Sequence, residues 1–149
     1  MSLLTTLKED MKAAMKARQR DRLQTIRLLM SALKNKQIDN GGEDLSEDAE
    51  LQFLATEAKR RRESITAYEE AGREDLAAQE RSELEVISHY LPEPLTEDEV
   101  RAIVQAVIDE TGATSKKQMG QVMGRVMPQV KGRFDGAAVK PIVLGLLGD

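Results

Sequence analysis

The run Leu91–Pro92–Glu93–Pro94–Leu95 constrains this chain more than any other stretch. Two prolines in three residues remove two backbone donors and fix φ at both sites. Each also pushes the residue before it toward extended backbone, so no regular helix passes through. The chain on either side must therefore bury its apolar residues separately. The expected organisation is an N-terminal helical domain over 1–91, a proline-containing linker at 92–95 and a small domain over 96–149.

On both sides the apolar residues recur at three and four, the period of an amphipathic helix. With two Phe, two Tyr and no Trp, the core has to be built from Leu, Ile, Val, Met and Ala, which with few β-branched runs favours helix over strand. The fold class expected is all-α, four helices followed by three. The first helix covers roughly 2–18, with Ser2 as N-cap, and is marked by Leu4, Leu7, Met11, Ala14 and Met15; Lys8, Lys12 and Lys16 share another face. The second covers about 21–38, capped by Asp21, with Leu23, Ile26, Met30, Leu33 and Gln37 inward. An acidic, glycine-containing loop (39–44) follows. Ser46 caps the third helix, whose inward residues are Leu51, Leu54, Ala55, Ala58, Ile65 and Tyr68, and Gly72 ends it. The fourth runs from about Arg73 to Tyr90, with Leu76, Leu84, Ile87 and Leu91 inward. Thr96 and Glu99 form a capping box for the fifth, which Gly112 closes. Thr114 or Ser115 caps the sixth, and Pro128 kinks or ends it. Asp135 caps the seventh.

The segment Lys116–Asp135 combines three features. Met119, Val122, Met123, Val126, Met127 and Val130 form an apolar stripe. Gly120 and Gly124 stand four apart beside it, where a missing side chain lets another backbone come close. Lys116, Lys117, Arg125, Lys131 and Arg133 supply positive charge. Between Lys116 and Lys140 six basic residues face one acid, Asp135, a local charge of +5 that leaves −9 for the remainder of a chain carrying −4. A local field of this kind steers anionic partners even when the whole protein is acidic. The pattern alone favours an ordinary solvated basic face, with a polyanion-binding surface as the sharper reading. Lys59, Arg60, Arg61 and Arg62 form a secondary basic patch, read the same two ways.

Other chemistry has little to stand on. No cysteine is present, so disulfides, thiol nucleophiles and thiolate metal sites are excluded. Lys8, Glu9, Asp10 and Lys12 interrupt any apolar leader, and no run approaches a membrane span; a cytoplasmic protein without membrane contact is expected. His89, the single histidine, lies near a helix end, where a structural or solvent-exposed role is usual. No phosphate-binding glycine loop, dinucleotide fingerprint or zinc-protease helix occurs. No catalytic residue, metal ligand or cofactor is expected, and a helical binding module is favoured over an enzyme.

Three passages carry a resemblance when taken in order: Glu57–Ile65 with Tyr68–Arg73, Glu85–Leu95, and Met119–Gly136. Together they resemble the YqeY family over essentially the whole chain. The C-terminal part is similar to the tail domain of the B subunit of the tRNA-dependent amidotransferase that acts on Glu-tRNA(Gln) or Asp-tRNA(Asn). In that enzyme the tail is a tRNA-contacting appendage, so the resemblance implies a non-catalytic partner of tRNA or another structured RNA, or of an amidotransferase-like complex. Carried onto this chain, the contact residues are Lys116, Lys117, Gly120, Gly124, Lys131, Gly132 and Arg133, with Arg125 added from the charge pattern. The N-terminus of the sixth helix would add free N–H groups for an anion. The same kinship brings the label of a carbon–nitrogen ligase with glutamine as amido donor, which no residue here supports independently. A protein–protein adaptor using the methionine stripe is a further alternative. Phe134 departs from the family pattern, where a small residue is common, and Pro141 falls inside the last helix.

Overall fold

The computed structural model describes residues 2–148. Among them the regular structure is entirely helical: α1 (Leu3–Lys16), α2 (Arg20–Asp39), α3 (Glu47–Glu70), α4 (Glu74–Ser88), α5 (Glu97–Thr111), α6 (Met119–Val130) and α7 (Gly136–Leu146), with a 3₁₀ turn at Lys116–Gln118 leading into α6. The all-α expectation holds. The chain divides into two compact units, Met1–Leu91 and Pro92–Asp149.

In the first unit α1 packs on α2, α3 packs on α4, and α2 meets α4. Leu7, Ile26, Leu29, Leu33 and Ile87 are fully buried at its centre. Ser2 caps α1, its hydroxyl accepting from the Thr5 N–H at 3.2 Å. Ser46 does the same for α3 through the Ala49 N–H at 3.1 Å. The Leu3 N–H donates to the Glu50 carboxylate at 2.7 Å, tying the start of α1 to α3. Asp21 does not cap α2. Gln19 occupies the N-cap position without a side-chain bond, and Asp21 stands in the first turn, where its charge still favours the positive helix end. The α1–α2 junction is tight because Arg18 adopts φ +56°. Its N–H reaches the Met15 carbonyl at 3.2 Å and that of Gln19 reaches Ala14 at 3.0 Å. This pair of bonds is a Schellman closure with arginine in the usual glycine position. Gly72 closes α3 in the same way at φ +71°, with the Arg73 N–H bonded to the Tyr68 carbonyl at 2.8 Å.

Sequence periodicity missed several core members. Leu29 and Phe53 are buried, as are Glu57 and Glu83, at 6% and 8% exposure. The two glutamates are held by Arg61. Its guanidinium pairs with Glu57 one turn back on α3, with Glu83 on α4 at 3.5 Å and with Glu80 at 3.9 Å. Burial of such carboxylates is tolerable only because a cation accompanies them. Glu80 is pushed above the usual carboxylate range, first by burial and then by the neighbouring Glu83 charge, against the pull of Arg61. At the end of this unit the Tyr90 hydroxyl donates to Asp10 at 2.5 Å.

In the second unit α5, α6 and α7 pack against one another around Val100, Val104, Val107, Val122, Val126, Val130, Val139 and Val143, all essentially inaccessible. The capping box on α5 forms as expected: the Thr96 hydroxyl accepts from the Glu99 N–H at 3.1 Å, and the Glu99 carboxylate accepts from the Thr96 N–H at 3.3 Å. Gly112 ends α5 at φ +68°, and Asp135 caps α7 through the Ala137 N–H at 3.1 Å. Pro128 neither ends α6 nor stands at its boundary, since the helix runs on to Val130. Pro141 lies at the sixth residue of α7, a helix that begins at Gly136.

Candidate nucleic-acid interface

The α6 region is positioned by its valines. Val122, Val126 and Val130 are fully buried, while Met119, Met123 and Met127 are half-buried against the same core. That anchoring fixes which residues face outward. Gly120, Gly124 and Pro128, at i, i+4 and i+8, are all exposed. A Cβ built on Gly120 or Gly124 meets nothing within 4 Å. The close approach expected at these glycines is therefore not made by another part of this unit; the bare face is open. Pro128 adds a second property. It has no N–H, so the Gly124 carbonyl lacks its ordinary i+4 helical donor.

Cations on this segment and on α7 are open to solvent. Lys117, Arg125, Lys131 and Lys140 are exposed, as is Lys116. Arg125 lies 3.9 Å from Glu110, and both side chains are largely in solvent, a geometry that contributes little. Lys131 and Gly132 form the centre of a turn that follows α6. Lys131 has φ −56° and ψ 127°, Gly132 has φ +74°, and the Arg133 N–H reaches the Val130 carbonyl at 2.9 Å. These are the dihedrals of a type II turn, whose third position calls for glycine. Gly132 thus serves the backbone, and the turn projects Lys131 outward.

Arg133 has a structural task. Its Nε donates to the Glu93 carbonyl at 3.1 Å, and its own carbonyl accepts the Leu95 N–H at 2.7 Å. With Leu95 buried in the core of this unit, these bonds strap the proline segment onto the α6–α7 turn. The approach to the helix is tied down by a side chain. Gln118 reaches back so that its side-chain oxygen accepts from the Thr114 N–H at 2.7 Å and the Ser115 N–H at 3.3 Å. Those two N–H groups belong to the residues that lead into the 3₁₀ turn. Phe134 is half-buried against the core, a packing residue.

The secondary patch does not stay together. Lys59 and Arg62 face solvent. Arg60 leans to Glu57 at 3.5 Å. Arg61 turns inward to the glutamates described above, leaving two unengaged cations.

The sequence of residues 4–147 matches the family model described as Yqey-like protein. The chain belongs to the YqeY family. Its relatives include the protein named "Altered inheritance of mitochondria protein 41, mitochondrial" from several fungi. That of Kluyveromyces lactis is 32% identical over 126 residues, covering 83% of this chain and 68% of the relative. That of Lachancea thermotolerans is 38% identical over 109 residues, covering 72% and 58%. That of Pyrenophora tritici-repentis is 32% identical over 136 residues, covering 88% and 72%. The chain thus spans between somewhat over half and under three quarters of the length of these relatives. The cytoplasmic expectation does not stand against them, because these relatives are named as mitochondrial proteins. The signs it rested on, no cysteine and no apolar run near the start, do not choose among compartments.

Proposed function

We propose that this YqeY-family chain is a non-catalytic binding protein for tRNA or another structured RNA, and that the α6 face and the turn after it form the contact. The observation that carries this reading is the open glycine–proline face together with the exposed Lys117, Arg125 and Lys131 of the same segment. Cations that accompany a face without side chains can meet phosphates while the backbone itself comes close to the partner. The Gly124 carbonyl, freed by Pro128, is an acceptor suited to a ribose 2′-hydroxyl, the group that distinguishes RNA from DNA. Structured RNA is read mainly through shape, phosphates and 2′-hydroxyls, so a surface without aromatic side chains suits it. The similarity to the amidotransferase tail domain supports the same class of partner.

The test is a titration of the full chain with total tRNA and with a duplex DNA of similar length. Binding to tRNA that weakens with salt and exceeds binding to DNA is expected. The triple variant Lys117→Glu, Arg125→Glu and Lys131→Glu should lose it. Wild-type affinity in that variant would refute the assignment of this face. Arg133 is left out of the set because its guanidinium holds the Glu93 carbonyl.

A further inference from the structure

The first unit also contains a strongly positive segment. Between Lys8 and Lys36 nine basic residues face three acids, Glu9, Asp10 and Asp21, a local charge of +6 in a chain whose total is −4. This segment makes up most of the α1–α2 hairpin, which ends on Asp39 and so sums to +5. Asp10 is occupied by the Tyr90 hydroxyl, which leaves Glu9, Asp21 and, at the end of α2, Asp39 to answer the cations.

The arrangement is more telling than the sum. On α1, Lys8, Lys12 and Lys16 are exposed at i, i+4 and i+8, so each lies about 6 Å along the axis from the next. On α2 the outermost line is Arg20, Gln24, Arg27, Ser31, Lys34 and Ile38, spaced four, three, four, three and four, and every member is exposed. It contains no acid. Elsewhere several arginines of this protein find carboxylates: Arg73 with Asp75, Arg81 with Glu69 and Glu74, Arg101 with Glu97. On the hairpin, Lys8, Lys12, Lys16, Arg20, Arg27 and Lys34 have no carboxylate within 4.0 Å among the described residues. An acidic protein that pairs arginines in other places has kept one helical hairpin unpaired and positive.

We infer that the outer face of the α1–α2 hairpin is a second polyanion-binding surface, and that its partner is the phosphate backbone of a nucleic acid. In taking nucleic acid as the partner it rests on the functional reading above, but it uses none of residues 116–133. The alternative occupant of a basic helical face is an anionic lipid surface, which requires a continuous apolar strip to bury in the headgroup region. The hairpin has none. Its exposed apolar residues are Met15, Leu28 and Ile38. Ile38 stands at one end of the α2 line, and Leu28 lies about a quarter turn away from it. Between the cations of that line stand Gln24 and Ser31, which hydrogen-bond to phosphate and sugar oxygens but have nothing to insert into lipid.

The test compares the full chain with the variant Lys12→Glu, Arg27→Glu and Lys34→Glu and with the same three positions changed to Gln, after circular dichroism shows helix content unchanged. The probe is total tRNA, titrated at about 50 mM and about 200 mM salt. If the three side chains meet phosphates, the slope of log affinity against log salt becomes shallower by about 2–3. The wild type then loses roughly 40-fold more affinity than the variants across that salt interval. Both the Glu and the Gln series must show this. An unchanged slope in either overturns the inference. Vesicles containing anionic phospholipid are titrated in parallel, and an effect seen on vesicles alone also overturns it. The Lys117→Glu, Arg125→Glu, Lys131→Glu protein separates the two surfaces. If it binds like wild type while the hairpin variants lose slope, the hairpin assignment stands and the α6 assignment falls. The reverse result removes the hairpin assignment and leaves α6.

Discussion

Replacing Gly120 and Gly124 by alanine separates two reasons for keeping glycine in a helix. Inside a helix glycine costs about 0.5–1 kcal/mol relative to alanine, because the unfolded chain loses more freedom on ordering it. A glycine kept for internal packing repays that cost through a contact that a Cβ would obstruct. Here a Cβ at either position meets nothing within 4 Å, so nothing inside this unit repays it. The double variant should therefore be more stable than the wild type by about 1–2 kcal/mol, with Gly124, in mid-helix, giving the larger share. For a unit of this size that corresponds to a rise in melting temperature of roughly 5–15 °C. Hydrogen exchange at the buried Val122, Val126 and Val130 amides would read the change in the second unit alone. If the bare face docks against RNA, two added methyl groups hold the partner off, and tRNA affinity should fall by about tenfold, or about 1.4 kcal/mol. Higher stability with weaker binding is the predicted combination. A destabilised variant would refute the reading of an open face, and a stabilised variant that binds tRNA like wild type would refute the close approach.

Four further perturbations follow from the same geometry. Arg61→Met leaves Glu57 and Glu83 buried without their cation and should cost the first unit about 3–5 kcal/mol, measured by urea unfolding; a loss under 1 kcal/mol would show that the glutamates find water or other partners. Because Glu80 holds its proton more tightly when folded than when unfolded, its ionisation opposes folding. Its contribution is fully present below the ordinary carboxylate pKa and is lost as pH rises through the raised one. Comparing wild type with Glu80→Gln in unfolding titrations across that interval should show the wild type falling further, and parallel curves would contradict it. Arg18→Gly should relieve the left-handed strain at φ +56° and stabilise the α1–α2 junction by about 1 kcal/mol, visible as a raised urea midpoint at constant slope. Thr96→Ala removes one half of the α5 capping box and should cost the second unit about 1 kcal/mol, read by hydrogen exchange within α5.

What could be read from the sequence was local. Ser2, Ser46, Thr96 with Glu99, and Asp135 cap the helices they precede, because capping is decided within three residues of chain. Gly72 and Gly112 end helices because only a positive φ fits there. The valine stripe of α6 is the core of its unit. What escaped depends on residues far apart in sequence or on exceptions to local preference. The run Lys59–Arg62 looks uniformly exposed until α4 brings Glu80 and Glu83 to Arg61, a pairing with no signature in periodicity. The α1–α2 turn was obscure because arginine, not glycine, occupies its left-handed position. Pro128 reads as a kink or stop, and α6 runs two residues past it, with the missing bond at the Gly124 carbonyl. The candidate basic residues were visible as charge. Which of them serve the fold was not, since the bonds of Arg133 to Glu93 and Leu95 need the folded turn.

The central claim is that this YqeY-family chain binds structured RNA through a cationic surface. Its most direct test is the salt dependence of affinity for total tRNA, measured on the wild type and on the α6 triple-reversal variant. The account predicts a steep wild-type slope and a variant slope shallower by about 2–3, because three side chains no longer neutralise phosphates. No measurable binding by the wild type at about 50 mM salt, or identical slopes in the two proteins, would contradict it.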